Sequence, residues 1–145
     1  EIDLVFDSLI DNPRSSKSML IEQIYEISRL VDNGFSKRYK SQRLTIVSDM
    51  VQNSDRFSMY DKHCNLNGNG KCKKYDSIIR NDKSLKRYLP ALIPSFSGNI
   101  DLDILYLHNN SDPNLDRGII EFWTSFFSKA GINKIKWQYE NDHNF

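Results

Sequence analysis

Leu44-Thr45-Ile46-Val47-Ser48-Asp49 is the stretch from which the fold is read. Leu44 to Val47 is apolar and partly β-branched, begins after basic Arg43 and ends abruptly in polar residues. Such a run suits a strand covered on both faces within a parallel sheet. Ser48-Asp49 then marks the carboxyl end of the strand. Ligands of open α/β sheets bind at that edge, where loops and helix N-termini converge. Asp49 is therefore a candidate ligand or metal residue, although an Asp after a strand also commonly closes a turn.

Outward from this strand the periodicity alternates between helix and strand. Leu20, Ile24, Ile27 and Val31 form one helical stripe over 18–31, with Gly34 as a stop beyond it. Ser15, Ser16 or Ser18 suits its N-cap. Ile2, Val5, Phe6, Leu9 and Ile10 are spaced as on a helical face, in a segment too short to exclude a strand. Residues 53–82 read as a long irregular region with two Asn-Gly pairs, followed by a short helix over 83–92. Ile100 to Leu107 reads as a second strand. Asp112-Pro113 opens a helix that runs to Ala130 and ends at Gly131. Its Ile119, Phe122, Trp123, Phe126 and Phe127 are core rather than a cofactor box. Ile135 to Tyr139 alternates as an edge strand. The expectation is one α/β domain over 1–145, a Rossmann-like three-layer sandwich with a mainly parallel sheet and helices on both faces.

The 145 residues carry 27% charged and 39% hydrophobic side chains, with a formal net charge of +1. That composition fits a folded domain and nominates no partner by overall charge. No run approaches the ~20 apolar residues of a membrane span. Charge is nevertheless uneven. Residues 61–90 hold eight Lys or Arg against three Asp, a net of +5, which leaves about −4 elsewhere. The Lys62–Arg87 segment is therefore a candidate nucleic-acid contact, against the plainer reading of a solvated face.

Cys64 and Cys72 flank the Asn-Gly turns. A disulfide ranks first, two free thiols second and a zinc site with His63 third, since a fourth ligand has no recognisable spacing. A bond implies an exported or periplasmic protein; free thiols imply a cytoplasmic one. The run from His63 to Lys74 has the length of a calcium loop but lacks its acidic first and last ligands. There is no nucleophile elbow, phosphate-binding glycine loop or His-Glu-x-x-His motif. His63, His108 and His143 have no evident carboxylate partner, and Asp101 and Asp103 share a face near the wrong end of their strand. The chain is not read as an enzyme.

The helix opening Ser18-Met19-Leu20-Ile21-Glu22-Gln23-Ile24 and the strand ending Ile46-Val47-Ser48-Asp49 together resemble the second half of a von Willebrand factor A domain. The Ile104 to Leu107 strand and the Phe122-Trp123 helix are similar to bacterial proteins of this type. The resemblance runs from about Ser15 to Tyr139. It implies a protein-binding module with a metal-ion-dependent adhesion site, in which Ser18 matches the helix-opening Thr and Asp49 the strand-ending Asp. It also implies Mg²⁺ as the cofactor, held weakly or not at all by these two residues. The family's Asp-x-Ser-x-Ser motif is not matched, because Asp7-Ser8-Leu9-Ile10-Asp11 lacks the serine spacing. Either the first strand lies upstream of Glu1 or the domain is a divergent one without a metal; three strands read where the family has five or six favour the first.

Overall fold

Strand β2 (Gln42–Ser48) is the hub of the sheet, flanked by β1 (Leu4–Asp7) and β3 (Ile100–Tyr106), with β4 (Ile135–Tyr139) beyond β3. The computed structural model describes residues 4–7, 17–32, 41–64, 71–96, 100–107 and 113–139. All three strand pairs are parallel, with Leu4 opposite Leu44, Leu44 opposite Leu102, and Leu102 opposite Ile135. Between them run α1 (Leu20–Asp32), α2 (Tyr75–Asn81), α3 (Leu85–Ala91) and α4 (Pro113–Lys129). The α/β character of the chain is thus established.

Residues 2–10 contain a strand, not a helical face. Leu4-Val5-Phe6 is too short to close helical turns, whereas pairing with β2 satisfies its backbone and extends the sheet. The sheet therefore has four strands among the described residues, and a strand preceding α1 lies within the chain. It ends at Asp7, the first residue of the incompletely matched motif.

One sheet face is covered. Leu44, Ile46 and Ser48 of β2 and Leu102, Ile104 and Tyr106 of β3 are buried, while Arg43, Thr45, Val47, Asp101, Asp103 and Leu105 between them are exposed or half-buried. A single core unites that face with buried residues of all four helices, including Ile21, Ile24, Ile78, Leu89, Ile119 and Trp123. Sequential parallel order explains this, because right-handed crossovers that always step the same way deposit their helices on one side. The described residues form two layers. Arg43 Nε and Asp103 Oδ2 meet at 3.6 Å on the opposite face.

The 53–82 region is less irregular than its sequence suggests, since α2 occupies its last turns. Lys74 gives no side-chain cap, but the Tyr75 N–H donates to Ser125 Oγ of α4 at 2.9 Å. A cap supplied from a distant helix leaves no local signature. Helix α4 ends as its sequence predicts. Gly131 has φ +79, with the Ile132 N–H donating to Phe127 O and the Gly131 N–H to Ser128 O. These are the two bonds of a Schellman ending.

Candidate functional site at the carboxyl edge of the sheet

The chain leaves β2 through a tightly determined turn. Ser48 Oγ accepts the Met50 N–H at 2.9 Å, and Asp49 Oδ1 accepts the Val51 N–H at 3.0 Å. Asp49 thus closes a turn, as its local chemistry allows. Met50 has φ 55, a left-handed conformation that is uncommon outside glycine. It is held there by complete burial of its side chain and by Trp123 Nε1, which donates to Met50 O at 2.7 Å.

The segment that follows is fastened to the start of α1. Ser18 and Asn53 exchange backbone hydrogen bonds of 2.8 and 2.7 Å, and Asn53 bridges on to Ser58. Gln52, fully buried, accepts the Ile21 N–H through Oε1 at 2.9 Å and donates from Nε2 to Glu22 Oε2 at 3.0 Å. Gln52 is the cap at Ile21 among the described residues; of the serine candidates, Ser15 and Ser16 lie outside the described residues. Glu22 Oε1 in turn accepts from Tyr88 OH at 2.5 Å, and Arg56 lies 4.7 Å from the Tyr88 ring centre. Burial and the Glu22 carboxylate push the Tyr88 hydroxyl up to about 12.

Ser18 is thus paired through its backbone with Asn53, four residues beyond Asp49 in the chain. Backbone pairing and the Gln52 side chain join the two segments. Asp7 ends β1 opposite Val47, so its backbone reaches the same edge. A hard divalent ion takes about six oxygen ligands. Ser18 and Asp49 offer one hydroxyl and one carboxylate already engaged with Val51, and among the described residues no three His, Cys, Asp or Glu side chains converge.

The edge is instead aromatic and acidic. Tyr106 OH donates to Asp116 Oδ1 at 2.7 Å, and its ring meets Trp137 and Tyr139 edge-on at 6.1 and 6.0 Å. Burial, then Asp116 and Asp49, hold the Tyr106 hydroxyl far above its ordinary value. Tyr60 is raised by burial and by the charge of Asp49. Four large hydrophobic side chains are exposed among the described residues, and three of them, Met19, Tyr60 and Tyr139, belong to these segments. Only Leu30 lies elsewhere, in the last turn of α1.

A second polar cluster involves His63, which does have a carboxylate partner. His63 Nε2 lies 3.0 Å from Asp82 Oδ2, and Lys62 Nζ lies 2.9 Å from the same oxygen. Asp82 Oδ1 receives the N–H groups of Ser84 and Leu85 and the Ser84 hydroxyl. These bonds, with Ser84 foremost, hold Asp82 well below the usual carboxylate range. An ionised Asp82 accepts only, so Nε2 carries the proton and the buried Nδ1 is an acceptor with no partner among the described residues. The 19-residue separation of His63 and Asp82 hid the pair. His108 and His143 lie outside the described residues.

Cys64 and Cys72 form a disulfide, which leaves no thiolate for zinc or nucleophilic attack. Asp101 is exposed and Asp103 faces Arg43, both on the less covered face. No helix of the described residues is long and apolar enough to cross a membrane. No protein family, curated protein or solved structure matches this chain.

Proposed function

We propose that the chain is a non-enzymatic protein-binding module of von Willebrand factor A type, with its recognition surface at the carboxyl edge of the sheet. One observation carries the reading: Met19, Tyr60 and Tyr139 are exposed on the segments that surround Asp49. Tyr and Met are enriched in protein interfaces, and a carboxylate among them gives orientation. The joining of a helix-opening Ser18 to the turn after Asp49 supports the family likeness, as does the run of parallel strands. In this reading Asp49 meets a cationic group of the partner directly, without a bridging ion. A second helical layer over the half-covered sheet face would complete the three-layer sandwich. The cystine favours an exported or periplasmic protein.

Site-specific photo-crosslinking in the source cell tests the proposal. A photoreactive side chain at Tyr60 or Tyr139 should give a discrete protein adduct that survives chelator, whereas one at Leu30 should not. Adducts from Leu30 alone, or from all three positions equally, would move recognition away from this edge. An adduct lost in chelator and restored by Mg²⁺ would show that a metal bridges the contact after all.

A further inference from the structure

We infer that α2, α3 and residues 71–74 before them form a second surface, which binds the phosphate backbone of double-stranded nucleic acid without reading sequence. The inference begins with how the segment treats its own acids. Asp76 Oδ1 is paired with Lys129 of α4 at 2.8 Å, and Asp82 is turned inward onto Lys62, His63 and the start of α3. Asp61 is the remaining acid of the segment. Lys73, Lys74, Arg80, Lys83, Lys86 and Arg87 are all exposed. The inward faces of the helices are fixed by Tyr75, Ile78, Leu85 and Leu89, all buried.

These cations are displayed from a braced frame. The disulfide closes the loop between Cys64 and Cys72, the Lys73 N–H donates to His63 O at 2.8 Å, and Asp82 binds the loop to the first turn of α3. A braced array of cations loses less conformational entropy on binding than a tail would.

The identity of the partner follows from what the surface omits. None of the exposed large hydrophobic side chains of the described residues falls between 71 and 96. A protein interface needs an apolar core, which this surface does not provide. Its tyrosines are not free to stack on bases, since Tyr75 is buried and Tyr88 is half-buried beside Arg56. Single strands are ordinarily held by such stacking. Phosphate contact by counterion release requires only positive charge. Tyr88 ties α3 to Glu22 behind the carboxyl edge. The cations named here are not among the residues proposed to meet a partner there, so charge reversal at them tests this inference apart from that reading.

Fluorescence anisotropy of the full chain against a labelled mixed-sequence duplex tests this, at salt from about 50 to 200 mM. Neutralising three to six phosphates predicts a slope of about −3 to −5 in log affinity against log salt. Lys73→Glu with Lys74→Glu, and separately Lys86→Glu with Arg87→Glu, should each weaken binding about tenfold or more and flatten the slope by about 2. The same charge change at Lys134→Glu with Lys136→Glu, around the start of β4, should alter affinity by less than about threefold. Melting curves confirm that each variant folds, and the wild-type slope stands without any variant. A salt-independent affinity, an equal loss in the β4 control, tighter binding of a single strand, or equal binding of polyglutamate or anionic-lipid vesicles would each overturn the inference.

Discussion

Gln52 shows how one buried polar side chain can organise an edge. It caps α1 at Ile21, satisfies Glu22 and follows directly from the turn that contains Asp49. Gln52→Ala removes both bonds and leaves the Ile21 N–H and part of Glu22 without their partner. Urea denaturation should show a loss of about 2–3 kcal/mol, the upper range for an unsatisfied buried group. An unchanged midpoint would mean that water replaces the amide. His63 makes a pH-dependent prediction. Burial, its largest influence, lowers its pKa below the ordinary 6.5, with Lys62 and Lys73 adding to the shift and Asp82 opposing it. The unfolded chain therefore takes up the proton first. This contribution is complete above pH 6.5 and is lost as pH falls through 6.5 toward the lower folded value. Denaturation midpoints should fall from pH 7.5 to 5.5 in the wild type and fall less in His63→Gln; parallel profiles would exclude His63. Asp82 acts in the same sense at lower pH, its contribution being present above 3.8 and lost below.

Most elements were legible where their periodicity was carried by their own residues. The Leu20, Ile24 and Ile27 stripe gave α1, the Leu44 to Val47 run gave β2, and Phe122 to Phe127 gave α4. The alternation in Ile135 to Tyr139 gave β4. Two elements escaped because their stability is tertiary. Strand β1 has four residues and depends on β2, and α2 is capped from α4. The covering of β2 was also over-read. A continuous apolar run reads as two covered faces, but Thr45 and Val47 are only half-buried. Of the candidate site, Ser18 and Asp49 are expected from the resemblance. Gln52, Glu22 and Tyr88 were not, since their bonds span 30 and 66 residues. The tertiary cap of α2 is open to test. Ser125→Ala should cost about 1 kcal/mol and raise amide exchange at Tyr75, while leaving exchange in α1 unchanged. Equal protection of Tyr75 in both proteins would reject that cap.

At the scale of the molecule, parallel strands taken in sequence order place the helices on one side of the sheet and bring the ends of β1 to β4 to one edge. Asp49, Tyr60 and Tyr139 stand at the carboxyl edge, and eight of the 20 Lys and Arg residues fall within 61–90. The central claim is that the edge around Asp49 recognises a protein through direct contact. Its most direct test is the yield of the photo-adduct at Tyr60 when Asp49 is replaced by Lys. The account predicts that Asp49→Lys abolishes the adduct, in the presence of chelator as in its absence, while the protein still melts cooperatively, about 2–4 °C below the wild type for the lost Asp49–Val51 bond. An adduct of undiminished yield in the folded Asp49→Lys protein would contradict it.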